Sequence, residues 1–136
     1  MKALIDTNVL IYDTFEDSLY HAEAKKLLDS LDEWIIPSIV VHEYVWFMRA
    51  LKIEVKEVVH KVEEYLQHHK AELVNETSED IWRALSFIEK EGLNLSQYND
   101  KVILSLAIRV GSLATFDRKL RKQALAQRIQ ILPESI

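Results

Sequence analysis

The chain has 136 residues, a formal net charge of -5 and 49% hydrophobic residues. This length suits one domain with a hydrophobic core, and the composition excludes a disordered or low-complexity protein. Only two glycines and two prolines are present, which disfavours an all-β protein with many tight turns and favours a helix-rich one. We therefore expect a single domain over residues 1–136.

The sequence has no feature of a membrane or exported protein. No apolar run approaches the ~20 residues that span a bilayer. Lys2 is followed by only a short apolar stretch before Asp6, which is unlike a signal peptide. Without cysteine, the chain has neither disulfides nor thiolate metal sites. We expect a cytoplasmic protein that has no membrane partner.

The charges are distributed unevenly along the chain. Acidic residues concentrate between Glu54 and Glu91, whereas the segment 118–128 contains no acid and five basic residues, namely Arg118, Lys119, Arg121, Lys122 and Arg128. An acidic total therefore does not exclude a polyanionic substrate, above all if cations occupy a pocket. Taken alone, a basic helix is more often a solvated surface.

The first half of the chain alternates between short apolar runs and helical patterns. Residues 2–5 predict a buried strand. Asp17 or Ser18 can cap an amphipathic helix that runs to about Leu31, as the apolar spacing predicts. Residues 34–37 predict a second strand that a proline closes. We expect Ser38 to cap a helix over 38–52.

The same alternation continues as far as the first glycine. Residues 55–69 predict an amphipathic helix, and residues 71–74 predict a weak strand. Thr77 precedes acidic residues that the helix dipole favours in a first turn, which predicts a helix that ends at Gly92.

Beyond this glycine, residues 99–110 are apolar nearly all round and predict a central buried helix that ends at Gly111. Three further elements follow, a strand over 112–115, a helix over 118–127 and a strand over 129–132. Apolar strands without alternation, separated by helices, predict an α/β fold with a buried parallel sheet.

Four carboxylates interrupt apolar segments of the sequence: Asp6, Glu43, Asp100 and Asp117. A buried carboxylate costs several kcal/mol or more unless it is paired, protonated or bound to a cation. Asp6 and Asp117 follow predicted strands, and the other two begin predicted helices near the same edge. Ligands bind at the carboxyl ends of parallel strands, so we expect all four acids to share one site.

A shared acidic site suits a hard divalent cation. Mg²⁺ or Mn²⁺ prefers oxygen ligands, and a bound ion can activate water and stabilise a leaving oxygen. Phosphodiester hydrolysis is the reaction that this arrangement suits best. Asp6 is the expected central ligand because it follows the most rigid element.

Each acid also has an ordinary structural interpretation. Asp6 can be a helix N-cap, a common role for Asp after a strand, and Asp117 can cap the predicted helix that begins at Arg118. Glu43 can pair with Arg49 or with a C-terminal basic residue, and Asp100 can be a first-turn acid that the helix dipole favours.

Four motifs resemble PIN-domain nucleases. They are Ile5-Asp6-Thr7-Asn8-Val9-Leu10, the Glu43 helix after a strand, Tyr98-Asn99-Asp100 before an apolar helix, and Leu113-Ala114-Thr115-Phe116-Asp117. No single motif is specific, but the four occur in order along the whole chain.

The resemblance implies a Rossmann-like three-layer PIN domain and Mg²⁺- or Mn²⁺-dependent hydrolysis of RNA. By carry-over, the four carboxylates are the metal and catalytic residues, while Asn8 and Thr115 orient them. Either Asn99 or Asp100 can face the metal. The length resembles the toxin of a VapBC-type pair, which implies a small antitoxin partner, RNA as substrate and a homodimer with Trp46 and Phe47 as possible anchors.

Other functions remain open at this point. A PIN nuclease in RNA processing or a catalytically silent PIN-like binding module fits the same fold. An aspartyl phosphatase is disfavoured because Asn8 stands where such enzymes carry a second Asp. Glycine-rich nucleotide-binding loops are excluded, since two isolated glycines cannot form them.

Overall fold

A computed structural model of the chain describes residues 1–136. Its centre is a five-stranded parallel sheet with the spatial order β3-β2-β1-β4-β5. The strands are β1 (Lys2–Ile5), β2 (Glu33–Pro37), β3 (Ala71–Val74), β4 (Ser112–Ala114) and β5 (Gln130–Leu132). The predicted parallel α/β sheet is thus confirmed.

Seven helices cover the sheet. They are α1 (Thr7–Thr14), α2 (His21–Ser30), α3 (Ser38–Ala50), α4 (Val55–Leu66), α5 (Ser78–Glu91), α6 (Tyr98–Val110) and α7 (Arg118–Ala126), and a single 3-10 turn covers Leu95–Gln97. Right-handed crossovers place α1 to α4 on one face and α5 to α7 on the other. The packing of α1 on α2 and α3, and of α6 on α5 and α7, agrees with this three-layer arrangement.

The hydrophobic core lies on both faces of β1, the central strand, and of its neighbour β4. Ala3, Leu4 and Ile5 of β1 have no exposed surface. Helix α6 buries seven consecutive residues, from Lys101 to Ala107, which confirms the predicted central buried helix. Lys101 is tolerated there because its ammonium group lies 3.0 Å from a carboxylate oxygen of Glu91.

The helix ends follow local chemistry. Gly92 and Gly111 end α5 and α6 in the left-handed conformation, with φ of 62° and 98°, as predicted. Thr77 forms a capping box with Asp80 at the start of α5.

Three details of the first half were predicted wrongly. Helix α1 was missed, because its apolar residues 9–12 form a run without helical spacing. Helix α2 begins at His21 with Tyr20 at the N-cap position, and not with Asp17 or Ser18 as its cap. Ser38 does not cap α3, since its hydroxyl donates to Glu76 instead.

The strand order reverses between β1 and β4. The chain moves from β1 outward to β2 and β3, then crosses to β4 on the other side of β1. Such a switch point leaves a crevice at the carboxyl ends of the two strands, because their connections leave in opposite directions. Asp6 and Thr115 are the first residues beyond β1 and β4.

None of the helices combines the length and apolar character required to cross a membrane.

Candidate active site

Asp6 lies at the floor of the crevice between β1 and β4 and is only 5% exposed. One of its carboxylate oxygens accepts from the Thr7 amide at 2.8 Å, which caps α1. The other accepts from the Thr115 hydroxyl at 2.7 Å and from the Asn8 amide at 3.0 Å. Three donors from two strand ends therefore fix its orientation.

Asn8 and Thr115 form the polar link between the two strand ends. The Asn8 side chain donates to the Thr115 hydroxyl at 3.1 Å, and its oxygen accepts from the Phe116 amide at 3.0 Å. The Thr115 hydroxyl also accepts from the Asp117 amide at 3.1 Å. Both residues thus contact the acidic site in the way that a supporting polar residue requires.

Asp117 is the N-cap of α7, where its carboxylate accepts from the Leu120 amide at 3.0 Å. The capping interpretations of Asp6 and Asp117 are therefore correct, and they do not compete with a shared site. Each cap orients a carboxylate at the crevice, because both helices begin directly after a strand of the switch point.

Glu43 projects from the second turn of α3 towards the same crevice. One oxygen accepts from the Thr7 hydroxyl at 2.5 Å, and the other accepts from the Asn99 amide at 3.1 Å. No basic side chain forms an ion pair with Glu43. The alternative in which Arg49 neutralises Glu43 is therefore wrong.

Asp100 lies at the exposed rim of the crevice, in the first turn of α6. Asn99 and Asp100 both take part in the cluster but in different ways. The Asn99 amide contacts Glu43, whereas the Asp100 charge acts on Asp6 from across the crevice.

The four acids affect one another through their charges. Burial raises the pKa of Asp6 to about 7; the Thr115 and Thr7 hydrogen bonds oppose this rise, and the charges of Glu43 and Asp100 add to it. The pKa of Asp100 is also raised, first by desolvation and then by Asp117 and Glu43, while Lys119 and Lys101 oppose the shift. The acids therefore repel one another, and the two lysines offset this repulsion only in part at Asp100.

This donor set fits a hard divalent cation, since it offers carboxylate oxygens and none of the four acids forms an ion pair with a basic side chain. In the structure itself, no group of three or more acidic or histidine side chains is arranged to hold a metal ion. The residues that would supply ligands are Asp6, Glu43, Asp100 and Asp117. Their mutual repulsion is the physical reason why a cation is favoured there.

Two basic residues near the site, Arg121 and Lys119, differ in their exposure and in their partners. Arg121 is 6% exposed, and it donates to the Thr115 carbonyl at 2.8 Å and to the Pro133 carbonyl. Lys119 is exposed and donates to Gln97 at 2.8 Å, so it bridges α7 to the turn that precedes α6. The basic segment is thus only partly a solvated face.

Sequence reasoning did not assign a role to Thr7, Arg121 or Lys119. The position of Thr7 directly after Asp6 was an available signal, because a hydroxyl at a helix start can reach a neighbouring carboxylate. Arg121 gave no such signal, since its two carbonyl partners are defined only by the folded chain.

Residues 3–125 match the family model of the PIN domain. The chain belongs to the PIN domain family, a family of nucleases. The match includes all four carboxylates of the crevice and both supporting polar residues. No curated protein matches the chain significantly.

Solved structures show the same fold. The VapC20 toxin of Mycobacterium tuberculosis, which cleaves the sarcin–ricin loop, superposes with a TM-score of 0.74 at 14% identity, covering 89% of this PIN domain and 94% of that chain. VapBC2 of Rickettsia felis, bound to a promoter DNA fragment, gives a TM-score of 0.70 at 20% identity, covering 96% of this chain and 97% of that chain. FitAcB of Neisseria gonorrhoeae gives 0.66 at 18% identity, covering 98% of each chain.

Proposed function

We propose that this PIN domain is a metal-dependent endoribonuclease and the toxin of a type II toxin–antitoxin pair. One observation carries the proposal: the charges of Glu43 and Asp100 act on Asp6, and those of Asp117 and Glu43 act on Asp100, while no ion pair neutralises Glu43. Family membership supports the hydrolysis of phosphodiester bonds.

In this proposal, Asp6, Glu43, Asp100 and Asp117 hold Mg²⁺ or Mn²⁺. When bound, such an ion lowers the pKa of a water molecule and stabilises charge on the phosphate. Asp6 is the most rigid ligand because three donors fix it. Asp100 and Asp117 are exposed, so both are accessible to an RNA that enters the crevice.

Thr115 and Asn8 have a supporting role in the proposed mechanism. Thr115 donates to Asp6 and accepts from Asn8 and from the Asp117 backbone, so one hydroxyl links two ligands. Arg121 holds the Thr115 carbonyl from the opposite side. These contacts keep the carboxylates at fixed positions despite their repulsion, which reduces the reorganisation needed when substrate binds.

A protein partner is supported by an apolar groove between α3 and α4. It is lined by Val45, Arg49, Ile53, Val55, Val58, Val59, Val62 and Glu63, and Val55 is 78% exposed. Contiguous apolar surface of this kind usually marks an interaction site. A toxin–antitoxin complex from Klebsiella pneumoniae has the same fold, with a TM-score of 0.62 at 21% identity, so we propose a small antitoxin as one partner.

We also propose a homodimer, with Trp46 and Phe47 of α3 as possible anchors. Trp46 is 62% exposed and Phe47 is 37% exposed. Sedimentation should show a dimer at micromolar concentration, and Trp46→Ser should shift the equilibrium towards monomer. A purely monomeric wild type would contradict this part of the proposal.

The main test is cleavage of a single-stranded RNA with Mg²⁺ or Mn²⁺. We expect wild type and Asp17→Asn to cleave equally, because Asp17 is exposed and its carboxylate forms no ion pair with another residue. Asp6→Asn should lose cleavage, and EDTA should abolish it. Equal cleavage by wild type and Asp6→Asn would refute the role of Asp6, and cleavage in EDTA would refute the metal mechanism.

The toxin assignment needs a separate measurement. Expression of wild type should arrest growth, while Asp6→Asn should not, and a small protein encoded in the adjacent reading frame should relieve the arrest. RNA cleavage without growth arrest would favour a nuclease of RNA processing. Neither cleavage nor arrest would favour a silent binding module.

A further inference from the structure

We propose that Thr7 and Asn99 are positioning residues that together hold Glu43 at the metal site. This inference rests on the proposed function, because it assigns Glu43 a purpose. Thr7 and Asn99 belong neither to the four carboxylates nor to the supporting pair Asn8 and Thr115.

The contact geometry is a clamp on a single carboxylate. The Thr7 hydroxyl, at the first residue of α1, lies 2.5 Å from one oxygen of Glu43. The Asn99 amide, in the first turn of α6, lies 3.1 Å from the other oxygen. The two donors belong to helices on opposite faces of the sheet, so they approach Glu43 from two sides.

Glu43 requires such a clamp more than Asp6 and Asp117 do. Asp6 and Asp117 are short side chains that are fixed as helix caps. Glutamate has one more rotatable bond than aspartate, and Glu43 caps no helix. The nearby charges of Asp6 and Asp100 favour rotation of its carboxylate towards solvent. The neutral hydrogen-bond donors of Thr7 and Asn99 oppose this rotation. Because they carry no positive charge, they do not compete with a metal cation for Glu43.

The clamp leaves Glu43 able to bind a metal. An ionised carboxylate has about four acceptor positions, and Thr7 and Asn99 occupy one on each oxygen. The remaining positions stay available for a cation. If Thr7 and Asn99 position Glu43 for the metal, loss of either donor weakens metal binding. If they instead had to release Glu43 before the metal could bind, their loss would strengthen metal binding.

The direct test is Mn²⁺ binding to the full chain without RNA, followed by electron paramagnetic resonance. We expect Thr7→Val and Asn99→Ala each to weaken binding about tenfold, the lower end of the effect of removing a residue that orients a ligand. Thr7→Ser keeps the hydroxyl and should bind as wild type does. Ser96→Ala is the control, since Ser96 is exposed and its hydroxyl forms no hydrogen bond.

A coupling measurement separates positioning from a general structural effect. In a Glu43→Gln background, Thr7→Val and Asn99→Ala should weaken the remaining Mn²⁺ binding by less than twofold, because the group on which they act is already changed. Full additivity would overturn the inference. Circular dichroism checks folding, and Asn99→Ala serves alone if Thr7→Val fails to fold, because Asn99 is exposed.

The outcomes distinguish the inference from the proposed function. If wild type binds no Mn²⁺, the proposed metal site fails and the clamp fails with it. If wild type binds Mn²⁺ and both variants bind equally well or more tightly, the metal site stands and the clamp is wrong. Weaker binding by both variants, with recovery in Thr7→Ser, supports the clamp.

Discussion

The Thr115 hydroxyl donates a hydrogen bond of 2.7 Å to Asp6, across 109 positions of sequence. This contact joins the ends of β1 and β4 at the switch point of the sheet, where Leu4 pairs with Leu113 and Ile5 with Ala114. The register places the next residue of each strand side by side. The central carboxylate is therefore oriented by the neighbouring strand and not by its own segment alone.

Substitution of Thr115 by valine should remove this donor while preserving the shape of the side chain. We expect Thr115→Val to lower Mn²⁺ affinity and RNA cleavage by about tenfold or more. Thr115→Ser should remain within a few fold of wild type, because it keeps the hydroxyl. Equal activity of Thr115→Val and wild type would show that Asp6 is oriented adequately without Thr115.

Asp6 should make the metal-free protein less stable as the pH rises. Its folded pKa is raised from 3.8 to about 7 by burial and by Glu43 and Asp100, with Thr115 and Thr7 opposing. For a raised carboxyl pKa, the favourable contribution is complete below the unfolded value and is lost as pH rises through the folded value. Relative to Asp6→Asn, wild type should thus lose on the order of 2 kcal/mol between pH 5 and pH 8.

Urea unfolding of both proteins in EDTA at the two pH values measures this difference, since other titrating groups largely cancel. Asp6→Asn loses part of the cap of α1 at every pH, so the comparison uses the change with pH and not the absolute stability. If the unfolding free energies of the two proteins changed equally with pH, the result would contradict a raised pKa of Asp6. Added Mg²⁺ should stabilise wild type and leave Asp6→Asn unchanged.

Lys119 should contribute to RNA binding more than other exposed lysines of α7. It reaches from α7 to Gln97, and its charge acts on Asp100, so it lies at the crevice. Lys119→Gln should weaken RNA binding and reduce the slope of log affinity against log salt by about one unit. Fluorescence anisotropy at several salt concentrations measures both effects.

Lys122→Gln is the matched control, because it removes the same charge from the same exposed helix. We expect it to change the slope less than Lys119→Gln does. Identical changes for the two variants would indicate diffuse attraction by the basic helix and no specific role for Lys119.

Asp80 should stabilise the fold away from the crevice. It is 1% exposed, completes the capping box with Thr77, and lies 2.8 Å from Arg109. Burial alone would raise its pKa, but the Thr77 and Arg109 contacts outweigh it and the pKa is lowered. Asp80→Ala leaves partners unpaired and should cost ~2–3 kcal/mol of unfolding free energy.

The sign of the Asp80 effect with pH is opposite to that of Asp6. A lowered folded pKa gives stability that is present above the unfolded pKa and lost as pH falls through the folded value. The difference in unfolding free energy between wild type and Asp80→Ala should therefore shrink in acid. A difference that stays constant from pH 7 to pH 3 would contradict this assignment, and RNA cleavage at neutral pH by folded Asp80→Ala should be unchanged.

Local patterns were sufficient for most elements but failed where a contact distant in sequence decided the outcome. The apolar helix α6 and its end at Gly111 followed from residue type and φ preference. Ser38 was expected to cap α3, yet its hydroxyl donates to Glu76, which is 38 positions away. Helix α1 was not predicted because a helix that packs on the sheet can contain consecutive apolar residues, with no polar residues between them to reveal the helical period.

The sequence by itself determined the alternation of strands and helices, the parallel sheet and the identity of the four acids, because these depend on local apolar patterns and on strand ends. Only the tertiary structure decided how the acids are held. The register of β1 on β4 brings Thr115 to Asp6, and the approach of α1 and α6 brings Thr7 and Asn99 to Glu43. Such contacts depend on distances between segments that chain order does not encode, and the charge of the cluster becomes costly only once these segments meet.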